Sequence, residues 1–234
     1  MKLQDATIFI TGANRGLGLA FARHALEHGA RKVYAAARDP STIALPGVVP
    51  IALDVTNPSQ VLAAAADCGD VTLVVNNAGI AGVKGLLDAD SIAVTQQMME
   101  TNVYGLLRVS QAFAPVLAAN GGGALLNVLS VSSWVSSPVL AAYSVSKAAA
   151  WSVTNGLRNE LRAHGTQVLG LHVGFIDTDL TRAFDAPKLS PDFVVARAFE
   201  ALEHGDSEVA IDDWTQQIKR GLSNQPGIYI DTAR

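Results

Sequence analysis

Charge is scarce in this chain. Asp, Glu, Lys and Arg together make up 16% of the 234 residues, the net charge is −4, and no block of lysine or arginine occurs. Nucleic acid is therefore not an expected partner, because proteins that bind it present clustered cations. Cysteine is nearly absent. With Cys68 as the single cysteine, an intrachain disulfide is excluded and a cysteine-built metal centre is not expected. Long apolar runs are missing as well: each is strand-length, far short of the ~20 residues a spanning helix needs. No export-type cleavage site follows the first apolar run, so the expected compartment is the cytoplasm, away from any membrane. His24 and His28 share a helix face, but no third ligand is near them, and no metal is expected.

What is abundant is hydrophobic residues, 49% of the chain, as expected when a parallel sheet is buried on both faces by helices. The length suits one large α/β domain spanning 1–234. Strand-like runs are read at 6–10, 31–37, 48–54, 71–76, 124–130, 168–173 and 208–211, and helical periodicity at 17–27, 59–66, 91–119, 142–164, 191–203 and 213–222. Between the second and third strands there is room for little or no helix. In the long segment 91–119, Pro115 is expected to bend the last turn. Asn102 sits inside that helix, where an asparagine invites a reason. Residues 179–192 read as a short mobile lid, and 224–234 carry no assignment.

Two stretches carry chemistry. The first is Thr11-Gly12-Ala13-Asn14-Arg15-Gly16-Leu17-Gly18, a glycine turn between the first strand and helix. Glycines let a backbone approach a pyrophosphate, and the helix N-terminus beyond offers free N–H groups. At the end of the second strand, where an acidic residue would hold the 2′-hydroxyl of NAD, stand Ala37 and Arg38. Arg38 with Arg15 makes a pair of guanidinium groups suited to a 2′-phosphate, so NADP(H) is expected over NAD(H). The second stretch begins at Tyr143. Lys147 lies one helical turn on, so a phenol and an ammonium share a face and the cation is expected to lower the phenol's pKa.

Thr11 to Gly18, Asn76-Asn77-Ala78-Gly79, Asn102, Ser130, Tyr143 and Lys147 together resemble the short-chain dehydrogenase/reductase family of the classical type, in order and interval over nearly the whole chain. The resemblance implies a single-domain Rossmann fold: a doubly wound seven-stranded parallel sheet with helices on both faces. It implies Asn102, Ser130, Tyr143 and Lys147 as the catalytic tetrad, with Asn102 holding a water beyond the lysine. Cofactor contacts are then expected from Gly12, Asn14, Arg15, Gly16, Leu17, Gly18, Arg38, Asp54, Val55, Asn77, Ala78, Gly79, Tyr143 and Lys147, and from Gly174, Ile176 and Thr178. Val173 stands where the family usually has proline. Contacts between subunits are expected from the helices bearing Asn102 and Tyr143, giving a homodimer or homotetramer.

The expected activity is NADPH-dependent reduction of a ketone or aldehyde, or the reverse oxidation of an alcohol, with Tyr143 as general acid or base. Trp134, Leu140, Phe175 and Phe184, with Val135 and Met98, are the expected pocket for an apolar or aromatic carbonyl substrate. The alternative is an NADP(H)-binding sensor with little turnover.

Overall fold

Alternate residues of the apolar strands point to opposite faces of one sheet. In β1 (Thr7–Thr11) Ile8 and Ile10 enter one core and Phe9 the other; in β2 (Lys32–Ala37) Val33 and Ala35 are divided from Tyr34 and Ala36 in the same way. With β3 (Val49–Ala52), β4 (Leu73–Asn76), β5 (Ala124–Val128), β6 (Gln167–His172) and β7 (Glu208–Ala210) the strands form a seven-stranded sheet. Its order is β3-β2-β1-β4-β5-β6-β7 and every pairing is parallel. These features come from a computed structural model, which describes residues 1–230; positions 231–234 of the unassigned tail lie outside the described residues.

Helices cover both faces. On one, α1 (Gly16–Glu27) packs beside α6 (Pro191–His204), with the rings of Phe21 and Phe199 edge-on at 5.4 Å. On the other lie α2 (Pro58–Asp67), α4 (Leu106–Ala119) and α5 (Ala141–Glu160), where Phe113 of α4 meets Phe9 of β1 at 4.5 Å. Local chemistry sets their starts. Asn57 caps α2 by accepting from Ser59 and Gln60 N–H ahead of Pro58, and Ser190 accepts from Phe193 N–H ahead of Pro191. Between β2 and β3 there is only a single short turn, Pro40–Thr42. Among the described residues no helix is long and apolar enough to cross a membrane.

The predicted long helix 91–119 is present, with one departure. It begins as α3 (Ser91–Met99), widens into a π turn over Glu100–Gly105 and continues as α4. Asn102 lies in that π turn. Such turns free backbone groups from the regular ladder and recur at functional sites. The helix predicted over 142–164 ends at Glu160 and tightens into a 3₁₀ turn, Leu161–His164, closed by Gly165 at φ +70°.

The predicted lid leaves the sheet after β6 and returns before α6. Asp177 N–H donates to the Leu189 carbonyl and Leu189 N–H to that of Phe175, so its base is pinned. Beyond α7 (Asp213–Gly221), Ile228 folds back: its N–H donates to the Gly221 carbonyl, and its side chain packs on the cluster of Val131, Trp134, Val135 and Ile218.

Candidate active site

Because β1 neighbours both β2 and β4, the strand order reverses between β1 and β4, and a crevice opens at their carboxyl ends. The glycine turn lies there. Gly12 and Gly16 have φ of +65° and +53°, the left-handed region that favours glycine. Gly18 is needed for another reason: a Cβ there would stand 2.1 Å from the Gly12 carbonyl oxygen. The turn is held from the next strand end. Asn77 Nδ2 donates to the carbonyl oxygens of Thr11 and Gly12 at 2.9 and 3.1 Å, and the N–H groups of Asn77 and Ala78 both donate to Thr11 Oγ1 at 3.0 Å. No side chain caps the first turn of α1, so its N–H groups are open to an anion.

The crevice is a cleft of about 830 Å³. Along it lie Gly12, Asn14, Arg15, Gly16, Leu17, Arg38, Asp54, Val55, Asn77, Ala78 and Gly79, and further on Ser130, Tyr143, Lys147, Gly174, Ile176 and Thr178. Among the predicted cofactor positions only Gly18 stands back from the wall, under the turn it permits. A backbone cradle that only glycine fits, an uncapped helix start and a cleft of this size suit a dinucleotide. Arg38 is exposed. Burial works to raise the nearby Asp54 carboxyl, but two hydrogen bonds from Thr56, with a smaller pull from the Arg38 charge, hold it below its usual range. Arg15 has a partner that its sequence position does not reveal: its Nη1 lies 3.1 Å from Asp179 Oδ2.

At the other end, Ser130 follows β5 and caps the turn Val131–Ser133, its Oγ accepting from Ser132 N–H at 3.1 Å. Its hydroxyl also faces the phenol of Tyr143, near the start of α5. Lys147 is 7% exposed; its Nζ donates to the Val128 carbonyl at 2.8 Å and lies 5.7 Å from the Tyr143 ring centroid. The expected depression of the phenol by the lysine is not what the site shows. Burial pushes Tyr143 up to about 12, and the opposing pull comes from Ser130. Burial also pushes Lys147 down to about 8. The ammonium is aimed at a carbonyl and at the ring, and desolvation governs both groups. Asn102 is behind the wall: its Oδ1 accepts from Ile80 N–H at 2.8 Å, and its Nδ2 donates to the Ile80 carbonyl and to Ser146 Oγ.

The four aromatic and aliphatic residues expected to line a substrate pocket are not among those lining this cleft. Trp134 is turned into the interior, stacked on His172 with centroids 3.9 Å apart and edge-on to Trp151. Phe175 and Phe184 pack on each other at 5.2 Å at the base of the 179–192 segment. Leu140 ends the turn Pro138–Leu140 just before α5. Met98 is buried. The cleft instead takes in Ile80, Gln97, Glu100, Thr101 and Leu180, which sequence reasoning missed. The polar positions 97, 100 and 101 form a helical stripe and were a signal for this.

His172 forms a second buried centre behind Ser130. Its Nδ1 faces the Ser130 carbonyl and its Nε2 faces Glu208 Oε1, each at 3.0 Å, while Glu208 also accepts from Trp151 Nε1 and Lys219. Burial works to raise the Glu208 carboxyl, but the bonds from His172 and Lys219 outweigh it and hold it down to about 2. A histidine inside the apolar strand QVLGLH was the available signal.

A parallel sheet of this order with a glycine turn at its switch point is a Rossmann-like α/β architecture. The family follows from comparison with known proteins. The family model for short chain dehydrogenases matches residues 6–188. A galactitol 2-dehydrogenase (L-tagatose-forming) of Cereibacter sphaeroides is 35% identical over 191 residues, 77% of this chain and 75% of that one. Oxidoreductase BOA17 of Botryotinia fuckeliana is 36% identical over 182 residues, 73% of this chain and 66% of that longer one. Among solved structures, a short chain dehydrogenase from Burkholderia cenocepacia in complex with NADP superposes with a TM-score of 0.93 at 39% identity, covering 97% of this chain and 96% of that one. The chain belongs to the short-chain dehydrogenase/reductase family of oxidoreductases.

Proposed function

We propose that this protein is an NADP(H)-dependent carbonyl reductase, or in reverse an alcohol dehydrogenase, acting on a small ketone or aldehyde. One observation carries this: the glycine cradle and the Ser130–Tyr143–Lys147 group lie along the same cleft. When bound, a nicotinamide cofactor supplies the hydride. Gly12, Gly16 and Gly18 shape the backbone that would receive its pyrophosphate, and Arg15 and Arg38, which both line the cleft, would hold a 2′-phosphate. The relative in complex with NADP supports that choice.

The chain's own residues handle the proton. Tyr143, with its phenol raised to about 12, is fully protonated at neutral pH, the form needed to donate to a carbonyl oxygen as negative charge develops there. Ser130 hydrogen-bonds the same oxygen, and its contact with the phenol keeps the two donors together. Lys147 would hold the ribose hydroxyls of the bound cofactor, and its positive charge lies beside the phenolate as it forms, when that charge is worth most. Asn102 braces the backbone at Ile80 and, through Ser146, the first turn of α5.

The test is NADPH oxidation followed at 340 nm against aliphatic, aryl and cyclic ketones, quinones and aldehydes, repeated with NADH. Carbonyl-dependent oxidation with higher kcat/KM for NADPH is expected. NADPH binding without turnover on the whole panel would contradict the assignment.

A further inference from the structure

The glycine turn and the segment after β6 meet at two points. Thr178 packs against Gly16, where a Cβ would lie 3.3 Å from the Thr178 methyl, and one residue further on Asp179 Oδ2 pairs with Arg15 Nη1 at 3.1 Å. Asp179 has a second cation: its other carboxylate oxygen pairs with Arg182 within the same short turn. Arg15 and Asp179 both line the cleft and both keep contact with solvent. The cation offered to a 2′-phosphate is thus already held by an anion of the chain.

We propose that Asp179 is a specificity-determining residue for the cofactor: it competes with the 2′-phosphate for Arg15 and tempers the preference for NADP(H) over NAD(H). This rests on the proposed engagement of Arg15 with that phosphate. A phosphate monoester carries more charge than a carboxylate and matches the guanidinium fork, so it displaces Asp179. Arg182 retains the carboxylate once it is released, so the exchange leaves no bare charge. NAD(H), with a hydroxyl in place of the phosphate, leaves the Arg15–Asp179 pair intact. Because the pair is exposed, the competition is modest and screened by salt.

The experiment is direct binding of NADPH and NADH, by cofactor fluorescence or calorimetry, to wild type, Asp179→Asn, Arg15→Ala and the double variant at low and high KCl. Asp179→Asn is expected to tighten NADPH binding roughly two- to fivefold, an exposed pair's worth, while NADH stays unchanged. The gain shrinks at high salt and disappears in the Arg15→Ala background. An equal gain for both cofactors, or none for NADPH while Arg15→Ala weakens it, would overturn the competition alone. Arg15→Ala leaving NADPH affinity unchanged would overturn the phosphate clamp itself, and the inference with it.

Discussion

Lys147 Nζ donates to the carbonyl oxygen of Val128 at 2.8 Å, tying the first turns of α5 to the last residue of β5. Ser130 lies two residues beyond Val128 and Tyr143 one helical turn before Lys147. The bond therefore fixes the serine hydroxyl and the phenol relative to each other, and it leaves a cation buried. Two consequences are measurable.

The first concerns stability. Lys147 titrates near 8 in the fold against an ordinary 10.5, so the fold binds that proton less tightly than the unfolded chain does. The resulting cost is fully present below pH 8 and fades as pH rises toward 10.5. Lys147→Met is expected to gain on the order of 1–2 kcal/mol at pH 7, after allowing for the lost hydrogen bond to Val128. Urea denaturation at pH 7 and pH 10.5 reads it; a variant weaker than wild type at pH 7 would contradict it.

The second concerns the pH profile. Tyr143 stays protonated through the working range, whereas Lys147 loses its charge near 8. The kcat/KM for carbonyl reduction should fall as pH rises through about 8, on a single basic limb. A profile flat to pH 10 would show that the lysine charge is not needed.

Glu208 gives the opposite sign. Its carboxyl is held at about 2 in the fold against 4.5, so its contribution is present above pH 4.5 and is lost as pH falls toward 2. Glu208→Gln keeps the size and removes the charge that faces His172 and Lys219. It should cost on the order of 2–3 kcal/mol at pH 7 and nothing at pH 2. A gap that persists at pH 2 would place the loss in packing instead.

Two glycine replacements should differ in direction. Gly18→Ala drives a Cβ to 2.1 Å from the Gly12 carbonyl oxygen, so the turn must open; a loss of roughly 2–4 kcal/mol and of nucleotide binding is expected. Gly156, inside α5, has open space where its Cβ would stand. Gly156→Ala should raise stability by about 0.5–1 kcal/mol through helix propensity. Thermal unfolding of both variants distinguishes the two effects.

The sheet was legible because strands buried on both faces read as short, nearly unbroken apolar runs beside turn residues, as Ile8-Phe9-Ile10 does before the glycine turn; which of those side chains enters which core emerges only in the fold. The cleft was legible where function demands one residue type at one interval, as in Gly12, Gly16 and Gly18 or Tyr143 and Lys147. What escaped depends on contacts distant in sequence. Arg15 and Asp179 are 164 positions apart, and nothing local marks either as the other's partner. Trp134 looked like a pocket wall because it is large, apolar and near Ser130; its burial against His172, on a strand 42 residues beyond Ser130, redirects it. The π turn at Asn102 arises with the bonds between that side chain and the Ile80 backbone, which helical periodicity does not encode. The pKa directions at Tyr143 and Lys147 follow from burial, whereas spacing speaks only of which charges are near.

Delivery of the proton by the Tyr143 hydroxyl is tested by one variant. Replacing only that oxygen, Tyr143→Phe should lower kcat for NADPH-dependent carbonyl reduction by about 10³-fold or more, with the Kd for NADPH unchanged within threefold. A Tyr143→Phe enzyme that binds NADPH normally and keeps its kcat within tenfold of wild type would contradict the account.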